Sequence, residues 1–215
     1  MIDPHEVALR VQQIREEVAR ASSTPVAIIA VTKTFGHDAI RAAVAAHCDA
    51  VGENYAQEVL AKVEVSPFGI PVHFIGAIQS NKVRQLAPYI SLWQGVDRES
   101  VISELGKRAP GAEILLQVNT TNEDTKSGVP PQEVEALLAA GVKAGLAVRG
   151  LMTIGPTSGD VRDAEKAFLS LRSLADSLHL PECSMGMSDD YRVAVDCGST
   201  MIRIGSRLFG PRTIR

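Results

Sequence analysis

Lys33 is the residue whose type and position in the sequence best suit covalent chemistry. It follows Val26–Thr32 (VAIIAVT), an uncharged stretch with the length and β-branched content of a buried strand. A lysine at the end of such a strand is partly desolvated, which lowers the pKa of its amine and makes it a nucleophile toward aldehydes. A lysine whose stem covers the strand end while its ammonium group reaches water fits the same pattern. Position alone leaves both interpretations open.

A second group of candidates lies near the C-terminus, in the segment SMGMSDDYRVAVDCGSTMIRIGSRLFG. Ser188 precedes an expected helix, where its hydroxyl suits either capping or, with nearby backbone N–H groups, the binding of an anion. Gly205 and Ser206 follow the last expected strand, and a turn there lets backbone N–H groups point at a phosphate without an intervening side chain. These residues indicate a phosphate site, with capping by Ser188 as the alternative.

Arg203 is a charged residue inside that last apolar strand. It stands between Ile202 and Ile204, and the strand period of two places it on the same face as Gly205. We expect its side chain to point inward, either toward a ligand or toward a carboxylate such as Glu53.

Three further polar segments follow expected strands: VGENYAQE, HFIGAIQSNK and QVNTTNEDTKSG. Asn54 in the first is a candidate hydrogen-bond donor to a ring oxygen, whereas packing is the favoured role of Tyr55. Residues 79–82 are candidates to line a site, and Lys126 with Gly128 is a candidate mobile flap.

Short apolar segments alternate with amphipathic ones along the chain. The strand candidates are Val26–Thr32, Ala50–Gly52, Val72–Ile75, Ser91–Gly95, Glu113–Val118, Ala147–Met152, Cys183–Met185 and Met201–Ile204. The helix candidates are Pro4–Ala21, Asp38–His47, Ala56–Val65, Asn81–Ala87, Glu99–Arg108, Pro131–Ala140, Asp163–Leu178 and Asp189–Val195. Connections of helix length predict parallel strands. We expect one α/β domain over residues 1–215, a single (β/α)8 TIM barrel with an extra N-terminal helix; a doubly wound open sheet is the alternative.

A barrel would gather these candidates, because its functional groups lie at the C-terminal ends of the strands. Lys33, Asn54 and Ser188 each follow a strand, and so does the turn at Gly205. Phosphate sites in this fold often form from the loops after strands seven and eight, where Ser188 and the Gly205 turn are expected.

Composition argues against several classes of partner and site. The net charge is −3 and 22% of the residues are charged, which gives no basic footprint for nucleic acid or an anionic membrane surface. No apolar run has the length of a membrane span, and the charged N-terminus does not resemble a secretory signal, so we expect a cytoplasmic protein. The histidines form no metal-ligand pair, and the distant Cys48, Cys183 and Cys197 suggest packing rather than disulfides or metal binding.

Seven motifs occur along the chain in a fixed order: AVTK around Lys33, GENYAQE, HFIGAIQSNK, QVN with a later KSG, GLMTI, SMGMSDD and GSTMIRIGSRLFG. Together they resemble the pyridoxal phosphate homeostasis protein family, small single-domain relatives of the alanine racemase N-terminal barrel. The resemblance covers nearly the whole chain.

The resemblance implies that pyridoxal 5'-phosphate is the cofactor and that Lys33 holds it as an aldimine. Ser188, Gly205 and Ser206 match the phosphate-binding positions, and Arg203 matches the residue that faces the pyridine nitrogen. The full implied cofactor site is Lys33, Asn54, Met187, Ser188, Arg203, Gly205 and Ser206. The family usually has proline after the lysine, where this sequence has Phe35 and Gly36, so the conformation of the lysine loop is left open.

The function implied by the resemblance is storage, buffering or delivery of the cofactor, with apo pyridoxal-phosphate enzymes as recipients and the chain acting as a monomer. Arg203, a permanent cation, would keep the pyridine nitrogen unprotonated, which weakens the ring as an electron sink. Related racemases add a tyrosine base from a second domain, for which we expect no counterpart here. We therefore expect a cofactor carrier without catalytic turnover; a slow amino-acid racemase is the alternative.

Overall fold

The computed structural model describes residues 2–211, in which eight parallel strands form a closed barrel in chain order. The strands are β1 Ala27–Val31, β2 Ala50–Glu53, β3 Val72–Phe74, β4 Leu92–Val96, β5 Glu113–Gln117, β6 Ala147–Met152, β7 Glu182–Met187 and β8 Met201–Ile204. The helices are α1 Pro4–Ala21, α2 His37–Ala45, α3 Ala56–Val65, α4 Val83–Leu86, α5 Glu99–Arg108, α6 Val134–Lys143, α7 Val161–Ser177, α8 Tyr191–Asp196 and α9 Ser206–Phe209. The barrel closes where β8 pairs with β1, with Arg203 opposite Ile29. The expected TIM barrel with its extra N-terminal helix is confirmed.

Helix α1 is set by its cap and its apolar stripe. The Asp3 carboxylate accepts a hydrogen bond from the N–H of His5, and proline occupies the first helical position. The buried side chains recur at helical spacing and pack toward α2, α8 and α9; they are Val7, Val11, Ile14 and Val18.

The starts of two helices near the mouth of the barrel, α4 and α8, differ from the expected ones. The helix expected over Asn81–Ala87 is a 3-10 turn, Ser80–Lys82, followed by α4; serine and asparagine compete with helical hydrogen bonding through their own side chains. The helix after β7 begins only at Tyr191, and the residue at its N-cap is Asp190. Ser188 therefore does not cap this helix.

Alternation along the strands separates an outer face, packed against the helices, from an inner face. Ile28, Ala30 and Val51 belong to the main apolar core between strands and helices. The residues between them point into the barrel, where a separate small cluster forms; it consists of Leu92, Leu115 and Met152. Continuing the same period beyond the strand ends assigns Lys33 and Asn54 to the inner face.

Close backbone approach occurs where β2, β3 and β4 end. A Cβ atom on Gly76 would lie 2.3 Å from the carbonyl oxygen of Asn54, and one on Gly95 would lie 2.3 Å from the carbonyl oxygen of Gly76. These distances leave no room for a side chain, since backbone atoms cannot move aside as a flexible side chain can. Glycine at both positions therefore draws three strand ends together at the mouth.

We expect Gly76→Ala to lower the free energy of unfolding by about 1 to 3 kcal/mol, the usual cost of overpacking. Urea denaturation of the variant and of Gly36→Ala gives the comparison. Gly36 is a suitable control because a Cβ there would meet only the Asp38 carboxylate, at 3.2 Å. Equal stability of the two variants would show that the mouth tolerates wider strand spacing.

Candidate functional site

The C-terminal mouth of the barrel holds the sequence-predicted lysine. Lys33 lies two residues after Val31, is half-buried, and sits in a turn in which Thr34 has a left-handed φ of 67°. Asn54 follows Gly52 by two residues, and Gly52 pairs with Val31 across β1 and β2. The loops carrying Lys33 and Asn54 therefore leave neighbouring strands side by side.

Ser188 lies at the other side of the mouth, after β7. Its Oγ accepts hydrogen bonds of 3.3 Å from the N–H groups of Gly205 and Arg207. Of the two roles predicted for Ser188, the structure therefore excludes capping of α8 and joins the hydroxyl to the turn after β8. Within the described chain the N–H of Ser206 makes no hydrogen bond. Hydroxyl and backbone N–H groups thus converge at this turn.

Gly205 connects that turn to the lysine strand. A Cβ on Gly205 would lie 3.4 Å from the Cβ of Val31, which precedes Lys33 by two residues. Met187 pairs with Arg203 across β7 and β8, and the residue is 38% exposed. The ends of β7, β8 and β1 therefore bring together Met187, Ser188, Arg203, Gly205 and Lys33 at one edge of the barrel.

Arg203 is 4% exposed, and its side chain lies on the inner face. It donates to Ser184 Oγ and to the Thr153 carbonyl oxygen, each at 2.7 Å. Burial lowers the pKa of Arg203 to about 10, opposed by the charge of Asp190, so the group remains a cation at neutral pH. The predicted alternative, a pairing of Arg203 with Glu53, is wrong because Glu53 is on the outer face, bonded to Lys62.

A directed chain of hydrogen bonds crosses the barrel from Arg203. Because the guanidinium can only donate, Ser184 accepts from it and gives its own proton to Gln94 Oε1 at 2.6 Å. The Gln94 amide then lies 2.9 Å from His73 Nδ1. Since that amide nitrogen can only donate, Nδ1 of His73 is an unprotonated acceptor. This series of hydrogen bonds therefore ends on the neutral imidazole of His73.

Burial lowers the pKa of His73 from 6.5 to about 4, with a smaller opposing effect of Glu113. As the pH falls from 6.5 to about 4, the unfolded chain takes up a proton here that the folded chain does not. The protein should lose up to about 3 kcal/mol of stability over this window, and nothing above it. His73→Gln, which can still accept from Gln94, should flatten the acid limb of the stability curve, whereas the exposed-site variant His5→Gln should not. An unchanged acid limb in His73→Gln would contradict the assignment.

The sequence suggested that Lys126 lies in a mobile flap, but the structure holds its side chain in place. Its ammonium group is 2.7 Å from Glu123 and 2.5 Å from the Gly155 carbonyl oxygen, and its side chain is 14% exposed. Thr157 also donates to Glu123, so these contacts tie the loop after β5 to the loop after β6.

Two of the other predicted lining residues lie in a cavity that Asn54 also lines. Gln79 and Lys82 share a cavity of about 320 Å³ with Asn54, Tyr55 and Phe74. Of the segment predicted to line a site, they are the residues that reach this cavity.

The cysteines are buried, in keeping with the predicted packing role. Burial raises the pKa of the Cys48 and Cys183 thiols to about 12, so both are protonated and unreactive at neutral pH. Residues 2–211 contain no group of three or more histidine, cysteine, aspartate or glutamate side chains placed to ligate a metal. No helix in that range has both the length and the apolar character needed to cross a membrane.

Sequence reasoning missed Gln94 and Ser184, which hold Arg203 in place, and Lys62, which pairs with Glu53. The signal for the first two was present: each is a polar residue inside an apolar strand and therefore needs a buried partner. Lys62 carried no comparable signal, because a lysine on a surface helix is ordinarily solvated.

Comparison with known proteins decides the family. The model of the alanine racemase N-terminal domain matches residues 2–213. A pyridoxal phosphate homeostasis protein of Pseudomonas aeruginosa is 39% identical over 96% of this chain and 93% of its own length. This chain belongs to the pyridoxal phosphate homeostasis protein family.

Solved structures also resemble this member of the family. PipY of Synechococcus elongatus, determined with PLP bound, superposes with a TM-score of 0.80 at 31% identity, covering 95% of this chain and 100% of that one. The alanine racemase of Corynebacterium glutamicum superposes with a TM-score of 0.76 at 18% identity, covering 96% of this chain and 60% of the racemase. The second likeness shows a common barrel.

Proposed function

We propose that this chain is a carrier that stores, buffers or delivers pyridoxal 5'-phosphate, which it holds through a covalent bond between the Lys33 amine and the aldehyde carbon. One observation carries the proposal. The loop bearing Lys33 adjoins, through Val31 and Gly205, the turn where the Ser188 hydroxyl and backbone N–H groups converge. The amine suits the aldehyde of this cofactor, and the donors at the turn suit its phosphate.

The donor set suits each part of the cofactor. The Ser188 hydroxyl and the Ser206 N–H would donate to the phosphate, and such donors need no counter-charge to bind an anion. Gly205, whose own N–H donates to Ser188, would shape the turn that holds it. Arg203 would donate to the pyridine nitrogen, since only two of the five N–H donors of a guanidinium are used by Ser184 and Thr153. Asn54 and Met187 would line the ring. The structure of PipY with PLP bound supports pyridoxal 5'-phosphate as the ligand.

The electrostatics favour carriage over catalysis. When bound, the cofactor supplies an aldehyde that exchanges reversibly between amines and a ring that can accept electrons. Strong electron withdrawal needs a protonated ring nitrogen, which a carboxylate partner favours, whereas Arg203 is a cation held by neutral groups. The names of the relatives, homeostasis proteins rather than enzymes, support the same conclusion.

Retention and transfer test this function. Purified protein loaded with pyridoxal 5'-phosphate should keep it through desalting and should restore activity to an apo-enzyme that requires this cofactor. Failure to retain it would reject the carrier function. Retention without release to any apo-enzyme or amine would point to storage alone.

A slow amino-acid racemase is the second candidate, favoured by the barrel shared with alanine racemase. Incubation of the loaded protein with each L-amino acid, followed by chiral analysis, separates the two. Turnover on the order of 1 to 1000 per second, typical of enzymes, would overturn the carrier proposal.

A further inference from the structure

A buried ion pair lies directly behind the lysine loop, on the outer face of the barrel. The Lys62 ammonium group of α3 is 2.5 Å from Glu53 Oε1 at the end of β2. The side chains are 9% and 0% exposed. Neither residue points toward the cofactor mouth, so neither has a role in the site described above.

The pair and its neighbour Glu58 hold both residues that flank Lys33. On the near side, Lys62 donates to the Thr32 carbonyl oxygen at 2.9 Å, and the Thr32 hydroxyl donates to Glu53 at 2.6 Å. On the far side, the Thr34 N–H donates to Glu58 Oε2 at 2.8 Å. Glu58 is in turn 3.5 Å from the Lys62 ammonium group. One charged cluster thus fixes the loop before and after Lys33.

The backbone between these anchors needs such support. Thr34 has φ of 67°, a left-handed conformation that costs a β-branched residue free energy and persists only when its surroundings impose it. A backbone hydrogen bond of 3.1 Å, from the Phe35 N–H to the Thr32 carbonyl oxygen, closes the turn. That same oxygen is the one that Lys62 contacts.

Stability alone accounts poorly for the cluster. Desolvation makes a buried ion pair no better than packed apolar side chains of the same size. This pair is also incompletely satisfied, because Glu53 Oε2 has no hydrogen-bond partner among the described residues. Charged groups do offer directional hydrogen bonds to specific backbone atoms, which apolar side chains lack. Here those bonds go to the peptide groups on either side of Lys33.

We infer that Lys62 is a positioning residue: with Glu53 and Glu58 it holds the loop from Thr32 to Thr34 in the strained turn that presents the Lys33 amine to the aldehyde. This inference rests on the proposed function for its purpose. The clamp itself concerns the loop and can be tested without the cofactor.

Two measurements on the full chain separate the clamp from the function. Hydrogen exchange of the cofactor-free protein follows the amides of Thr34 and Phe35. A titration with pyridoxal 5'-phosphate then measures affinity from the imine absorbance. The main variant is Lys62→Met/Glu53→Gln, which removes both charges so that no unpaired ion is left in the core.

Arg172→Met is the matched control. Arg172 is a half-buried cation that, like Lys62, donates to backbone carbonyl oxygens, here those of Leu180 and Pro181 at the opposite end of the barrel. It should cost stability without affecting the lysine loop. Lys62→Arg keeps the positive charge and the hydrogen-bond donors, so its affinity for the cofactor should fall less than that of the double variant.

In the double variant we expect faster exchange confined to the lysine loop and an affinity lower by about 10- to 100-fold, the size of one lost hydrogen bond to a charged group. Unchanged exchange at Thr34 and Phe35 would overturn the clamp, whatever the affinity. Equal losses in Arg172→Met would also overturn it, by showing a general effect of stability. If wild-type protein binds no cofactor, the proposed function fails, and the exchange data still decide whether the clamp exists.

Discussion

Lys33→Ala should abolish the imine absorption band of the loaded protein, because the variant lacks the amine that bonds to the aldehyde carbon. Some pyridoxal 5'-phosphate should still bind through the donors at Ser188 and the Gly205 turn, but it should be lost on desalting. Absorbance spectra before and after desalting measure both effects.

The matched control for this prediction is Lys107→Ala, which removes an exposed lysine of α5. It should keep the band at full intensity. A band of wild-type size in Lys33→Ala would place the covalent bond on another residue and contradict the account.

Arg203→Met should change the bound cofactor more than the fold. Its removal leaves the Ser184 hydroxyl and the Thr153 carbonyl without a donor, at about 1 to 3 kcal/mol each. It also relieves the burial of a charge, whose cost, read from a pKa lowered from 12.5 to about 10, is about 3 kcal/mol. These opposing effects are similar in size, so the net change in the free energy of unfolding should be small.

The effect of Arg203→Met on the cofactor should be large. Loss of a charged donor should weaken binding by about 10- to 100-fold. A cation beside the pyridine nitrogen disfavours protonation of the ring, so its loss should raise the pH at which the cofactor spectrum titrates. Arg192→Met, on the exposed face of α8, serves as the control. A titration unchanged by Arg203→Met would show that the guanidinium does not face the ring nitrogen.

The barrel and the inner face of its strands could be predicted from the sequence because both follow from local periodicity. The stretch before Lys33 has the period and length of a buried strand, and Arg203 between two isoleucines required an inward direction. Both predictions need only neighbours along the chain. The boundaries of α4 and α8 depend on turn chemistry at serine and aspartate, which periodicity does not encode.

The supports of the site could not be predicted in the same way. Ser184 and Gln94 are 90 residues apart, and their contact exists only because the closed barrel brings their strands to face one another across its interior. Lys62 and Thr32 meet because α3 packs against β2, the strand that pairs with β1, which depends on the tertiary fold. The resemblance to a known family indicated the residues at the cofactor but not those that hold them in position.

Reduction of the loaded protein with borohydride, followed by peptide mass spectrometry, tests the central claim most directly, because reduction makes the bond between amine and cofactor permanent. We expect a single major adduct with the mass of reduced pyridoxal 5'-phosphate, located on Lys33. Protein that retains the cofactor but carries no adduct, or carries it on Lys82 or Lys126 instead, would contradict it.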